Sequence, residues 1–125
     1  SPTRTIAGLL SFKDKVILMA GGYDKHLDYT ELGKYIVAHV KTLILMGQTK
    51  EKIKVATQKA LSESNETQEN LPIIECTTLE EAVNEANKIA KTGDIVFFSP
   101  ASASFDMFKN FMERGDKFKE LVSKL

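Results

Sequence analysis

The stretch DIVFFSPASASFDMFKNFMERG, residues 94–115, decides how the rest of the chain is read. Ile95-Val96-Phe97-Phe98 is a short unbroken apolar run behind a polar turn, which is how a strand covered on both faces reads. Ser99-Pro100-Ala101-Ser102-Ala103-Ser104 then brings side chains too small to fill a core. Phe105, Phe108, Phe111 and Met112 follow at helical spacing, so a helix is predicted over 104–112, with Ser104 suited to cap it and the phenylalanines read first as core. A strand, a small-residue loop and a helix start bearing hydroxyls make a place where backbone N–H groups can face an anion.

Working outward, a second strand end has matching features. Val16-Ile17-Leu18-Met19-Ala20 is another continuous apolar run, closed by Gly21-Gly22-Tyr23-Asp24-Lys25. Two glycines after a buried strand let the backbone turn sharply and approach a ligand closely. Neither G-x-G-x-x-G nor G-x-x-x-x-G-K-[ST] is present, so this is not read as a nucleotide-phosphate loop. Lys25 has two readings, a fixed ammonium for a carboxylate or an ordinary solvated lysine; its place behind the glycines weighs toward the first.

The remaining elements alternate. Pro2, with Ser1 as its cap, starts a helix that ends near Ser11 and turns Ile6, Leu9 and Leu10 inward. Asp28 and Glu31 have capping-box spacing, which starts a helix at Tyr29 with Leu32, Tyr35, Ile36 and Val40 buried. A strand is predicted over 42–46, then a helix over 49–61 with Ile53, Ala56, Ala60 and Leu61 inward and Lys50, Lys52, Lys54 and Lys59 outward. The polar run SESNETQEN, 62–70, has nothing to bury and reads as a mobile surface connection. A short strand over 72–76 precedes a second capping box, Thr78 with Glu81, and a helix burying Leu79, Ala82, Val83, Ala86, Ile89 and Ala90. Gly93 ends that helix in a left-handed conformation. Past Gly115-Asp116, the spacing of Phe118, Leu121, Val122 and Leu125 predicts a last amphipathic helix.

Strands separated by helices imply right-handed crossovers. The fold class is therefore α/β: a three-layer, mainly parallel, Rossmann-like sheet with helices on both faces, in one domain over 1–125. Ligands of such sheets bind outside the carboxyl ends of the strands, so the GGYDK and SPASASF loops, about 75 residues apart in sequence, are expected to converge.

Other totals exclude more than they assign. With 125 residues, 17 basic against 17 acidic, the chain has no global field for nucleic acid or an acidic membrane. No apolar run approaches the roughly 20 residues that span a bilayer. The single cysteine, Cys76, excludes an internal disulfide and reads as an inert thiol inside an apolar strand, in keeping with a cytoplasmic setting. His26 and His39 lack partners at metal-ligand spacing, and no serine sits in G-x-S-x-G. The start at Ser1, without methionine, reads as a piece of something longer.

The blocks ILMAGGYDKHLDY (17–29), SPASASFDMFKNF (99–111) and ERGDKF (113–118) together resemble the C-terminal domain of the bacterial Mur ligases, and within that family its D-glutamate-adding members. The resemblance covers essentially the whole chain. It implies the third domain of a three-domain cytoplasmic enzyme of peptidoglycan precursor synthesis. In that family ATP and Mg2+, held by the central domain, activate the carboxylate of UDP-N-acetylmuramoyl-L-alanine as an acyl phosphate, and the amine of D-glutamate attacks it. By the same resemblance Lys25 and Ser104 bind the D-glutamate side-chain carboxylate, Phe105 and Phe111 lie at its edge partly through backbone groups, and Asp24, Ser102 and Arg114 are secondary candidates, Arg114 having a local partner in Asp116. The implied partners are D-glutamate and the enzyme's N-terminal and central domains, with no nucleic acid and no membrane. The domain alone is expected to hold no ATP, to carry no catalytic residue and to be inactive.

Three departures stand beside it. Ser102 takes a position where the family often has cysteine, which argues against obligatory thiol chemistry. A further Ser or Thr contact of the family would precede Ser1. There is no P-loop. The alternatives are a related ligase for another amino acid, of the folylpolyglutamate or another Mur type, and a non-catalytic α/β binding module; the Asn-Pro-Arg signature of diaminopimelate addition is absent.

Overall fold

The apolar runs become neighbouring strands of one sheet in the computed structural model, which describes residues 2–22, 26–100 and 120–123. In chain order the elements are α1 (Pro2–Leu10), β1 (Val16–Gly22), α2 (Thr30–His39), β2 (Val40–Gly47), α3 (Lys50–Glu63), a 3-10 turn (Gln68–Asn70), β3 (Ile73–Glu75), α4 (Leu79–Ile89), β4 (Ile95–Pro100) and β5 (Glu120–Ser123). The strands lie in the order β3-β2-β1-β4-β5, and each described pairing is parallel. Parallel neighbours need crossovers of helix length, and those crossovers bury both faces of the sheet.

Period-two alternation divides the strand side chains between two cores. Leu18, Ala20, Leu43, Leu45 and Phe97 face a cluster completed by Leu9 of α1, Leu32 and Ile36 of α2 and Ile53 and Leu61 of α3. Ile17, Met19, Ile44, Met46, Val96 and Phe98 face the other way, onto Ala82, Val83 and Ala86 of α4 and onto Cys76. Both faces being covered is why the strands read as unbroken apolar runs, and the three-layer parallel architecture agrees with the sequence reading. Phe97 and Phe98 are fully buried on opposite faces, each worth about 1.5–3 kcal/mol of transfer free energy.

Close backbone approach needs glycine at two packing points. A Cβ on Gly33 of α2 would lie 2.4 Å from the Ala56 carbonyl oxygen of α3. One on Gly8 would lie 2.1 Å from Phe97 Cζ, so α1 presses directly on β4, where Phe12 adds a tilted ring contact to Phe97 at 5.6 Å.

Several local expectations are corrected. Glu120–Ser123 is a strand parallel to β4, with Val96 opposite Leu121 and Phe97 opposite Val122, where helical spacing had predicted a helix; the open edge of β4 supplies ladder partners that a surface helix would forgo. Leu10 is 56% exposed and Thr5 and Gly8 take its place on the inner face of α1. Helix α2 starts one residue late, because Asp28 Oδ1 accepts from the Thr30 N–H at 2.9 Å and from its hydroxyl, while Glu31 pairs with Lys34 at 3.3 Å. The cap at Thr78 does form, its Oγ1 accepting from Glu81 N–H at 3.1 Å, while the Glu81 carboxylate accepts from the Thr77 N–H, one residue before the cap.

The polar run 62–70 carries more structure than expected. α3 ends there in a Schellman motif, with Asn65 left-handed at φ 57°, Asn65 N–H donating to Ser62 C=O and Glu66 N–H donating to Leu61 C=O, which satisfies the last carbonyls of the helix. Gly93 is left-handed at φ 94°, yet it serves the turn closed by Asp94 N–H to Lys91 C=O, α4 having ended at Ile89. Cys76 lies one residue past β3, buried, with its N–H on Leu45 C=O. The helix predicted over 104–112 lies outside the described residues.

Candidate functional site

The sheet order reverses direction between β1 and β4. These two strands are direct neighbours, Ala20 opposite Ser99 and Gly21 opposite Pro100, so the strands that lead into GGYDK and SPASASF end side by side at the topological switch point. In doubly wound sheets this is where a crevice opens for a ligand. The strand ends from which the two loops depart are therefore neighbours, while residues 23–25 and 101–105 of the loops expected to converge lie outside the described residues.

Gly21 is dictated by packing. A Cβ there would lie 2.2 Å from the Met46 carbonyl oxygen, so β1 and β2 approach closely at the point where the chain leaves the sheet. Gly22 is level with Gly47 of β2, and Gly47 is left-handed at φ 82°, which turns β2 away into α3.

The far limb of the first loop is fixed as well. Lys52 of α3 donates from Nζ to the Leu27 carbonyl at 2.8 Å and lies 5.9 Å above the Tyr29 ring. Asp28 holds Thr30, and the Thr30 hydroxyl and N–H, with the Lys52 charge, keep the Asp28 carboxyl below its ordinary range. The segment carrying Asp24 and Lys25 is thus bounded by a strand end at Gly22 and by a pinned residue at Leu27.

At β4 the anchor comes from α1. Thr5 Oγ1 and Ser99 Oγ are 2.6 Å apart, across 94 positions of sequence. Thr5 meets Ser99, and Gly8 meets Phe97, so α1 runs antiparallel to β4 and directs its N-terminus toward the carboxyl edge of the sheet. Positive helix-dipole charge lies at that end.

The candidate residues Asp24, Lys25, Ser102, Ser104, Phe105, Phe111 and Arg114 lie outside the described residues. What the structure brings together is the pair of strand ends from which their loops depart. Two supporting residues escaped the sequence reading. Lys52 is one of four lysines that the spacing turns outward, and nothing local marks its bond to Leu27. Thr5 did carry a signal, since it precedes Gly8 and Leu9 at three and four residues, the spacing of one helix face. His39 stacks on Tyr35 at 6.2 Å, and among the described residues no group of three His, Cys, Asp or Glu gathers to hold a metal. No helix among them is long and apolar enough to cross a membrane.

These features define a doubly wound parallel α/β domain in which β1, closing on Gly21-Gly22, and β4, closing on Ser99-Pro100, end side by side. Residues 1–102 match the family model described as Mur ligase, glutamate ligase domain. The chain belongs to the Mur ligase family. It is 57% identical over all 125 residues to UDP-N-acetylmuramoylalanine–D-glutamate ligase of Acetivibrio thermocellus, covering 27% of that protein. It is 52% identical over the same length to the ligase of that name from Clostridium tetani, again covering 27% of it. The chain thus spans about a quarter of the length of the curated relatives it matches. A putative methyltransferase from Pseudomonas syringae shares 11% identity at a TM-score of 0.46 over 90% of this chain and 67% of that one, too distant a likeness to bear on function.

Proposed function

We propose that the 125 residues form one domain of an ATP-dependent, cytoplasmic amide ligase that joins D-glutamate to UDP-N-acetylmuramoyl-L-alanine in peptidoglycan precursor synthesis, and that this domain holds the D-glutamate. The observation carrying the reading is 57% identity, over the entire chain, to a ligase whose name states that reaction. The neighbouring ends of β1 and β4 support it, because the segments that carry Lys25 and Ser104 in sequence depart from them. An ammonium and the N–H groups of a helix start are suitable partners for a carboxylate.

In this reading Lys25 and Ser104 take the side-chain carboxylate of D-glutamate. Phe105 and Phe111 close its edge, and Asp24, Ser102 and Arg114 stand around the same loops. Together they hold the amine toward an acyl group activated elsewhere in the enzyme. The sequence contains no G-x-x-x-x-G-K-[ST] segment, the pattern of a phosphate loop. ATP and Mg2+ are accordingly assigned to the other domains, the partners with which this one works, and the domain by itself is inactive.

The test uses the full-length protein carrying this domain. D-glutamate should stimulate phosphate release in the presence of ATP and the UDP-muramoyl substrate. Lys25→Ala should weaken kcat/KM for D-glutamate by about 30-fold, corresponding to about 2 kcal/mol for a carboxylate left without its cation. Stimulation by L-glutamate or another amino acid in place of D-glutamate would reject the substrate assignment, and an unchanged KM and turnover in Lys25→Ala would reject the role given to the lysine.

A further inference from the structure

Helix α1 sets a hydroxyl against the exit of β4 from a position that no ligand-binding motif contains. Thr5 is 4% exposed, and its Oγ1 meets Ser99 Oγ at 2.6 Å. Ser99 is the last residue but one of β4, and the chain then runs in five residues to Ser104. The hydroxyl pair therefore lies at the root of the serine-rich loop. Below it α1 cannot slide, because Gly8 is in contact with the Phe97 ring and any larger residue would overlap it. Leu9 is buried in the same core. On β4, Phe97 and Val96 are locked in opposite cores, and Thr5 extends this fixation to Ser99, near the carboxyl end of the strand.

We propose that Thr5 is a positioning residue for amino-acid binding: its bond to Ser99 sets the direction in which the SPASAS loop leaves β4, and hence where the loop's hydroxyl and N–H groups meet the substrate carboxylate. This deepens, and rests on, the assignment of the crevice to D-glutamate. Thr5 touches no substrate in this account. It acts through Ser99, and because α1 runs antiparallel to β4 it links the N-terminal end of the domain mechanically to the crevice.

The experiment is steady-state kinetics on the full-length ligase, varying D-glutamate and ATP separately, for wild type, Thr5→Val, Ser99→Ala, the double variant and Thr5→Ser. Valine keeps the shape of Thr5, and thermal unfolding checks that each variant is folded. Expected is a rise in KM for D-glutamate of about fivefold or more in each single variant, since small misplacement of binding groups is strongly felt, with kcat within about twofold and KM for ATP unchanged. The double variant should be no worse than the worse single one, because both remove the same bond, and Thr5→Ser should restore the wild-type KM. Unmoved KM for D-glutamate in folded Thr5→Val, equal rises in both KM values, or additive effects in the double variant would each overturn the proposal. A wild-type enzyme that D-glutamate does not stimulate would overturn the functional assignment, and this role with it; a responsive wild type with unmoved variants overturns the role of Thr5 alone.

Discussion

Gly33→Ala should destabilise the domain, although replacing a glycine in the middle of a helix normally stabilises. The intrinsic gain is about 1 kcal/mol, from the backbone freedom that glycine loses on folding. Against it stands the α2–α3 contact. The added Cβ would fall 2.4 Å from the Ala56 carbonyl oxygen, 2.6 Å from its carbon and 3.1 Å from its Cβ. Comfortable contact needs about 3.5 Å, so the helices must separate locally by roughly 1 Å. The obstacle is helix backbone, which cannot rotate away as a side-chain tip can, and the cost belongs in the upper part of the 1–3 kcal/mol typical of overpacking. The net loss is about 1–2 kcal/mol, or about 5 °C in Tm for a chain of this size. Urea unfolding followed by far-UV circular dichroism measures it, and Cm should fall with m unchanged. A variant as stable as wild type, or more so, would refute the reasoning, since helix propensity would then have outweighed a contact that the packing forbids.

Two further outcomes follow from titratable groups. Burial alone would raise the Asp94 carboxyl, but the Lys41 ammonium and the Lys91 N–H bound to it outweigh burial and hold it below its ordinary value. A depressed folded-state pKa contributes stability that is fully present above the unfolded value of 3.8 and is lost as pH falls through the folded value. Asp94→Asn should therefore cost about 1–2 kcal/mol at pH 7, discounted for the exposed lysine, and the gap from wild type should close below about pH 4; a gap independent of pH in chemical unfolding would count against the ion pair. Cys76 is 1% exposed, and burial, with Glu81 and Glu85 nearby, pushes its thiol up. It should react with a disulfide reagent at pH 8 only on unfolding, and rapid stoichiometric labelling of the folded chain would show that the second core is open.

The central sheet was legible because burial on both faces leaves the unbroken apolar runs of β1, β2 and β4, and the cap at Thr78 because its donors and acceptors are local. β5 was not. Leu121 and Val122 sit in a stretch whose spacing suits a helix, and only the ladder partners offered by β4 decide for a strand. Element order alone put the exits of β1 and β4 at one edge of the sheet, and those strand ends are neighbours. The contacts beside them, Lys52 on the Leu27 carbonyl and Thr5 on Ser99, join residues 25 and 94 positions apart, and such pairs leave no periodic trace. The Asn65 helix end was hidden for the opposite reason: its polar neighbours look alike in sequence, and the left-handed residue among them is asparagine rather than glycine.

The strand order also sets a timetable for synthesis. β1 finds β2 soon after it is made, but its other neighbour, β4, follows about 50 residues after β2 ends. At elongation rates of about 5–20 residues per second that interval is roughly 3–10 s. Throughout it the central strand of the finished sheet is an edge, apolar on both faces and with its N–H and C=O groups unpaired, the state most open to wrong partners. The nascent chain is therefore most vulnerable just before residues 95–100 emerge, and pairing that edge and setting the ends of β1 and β4 side by side are the same event.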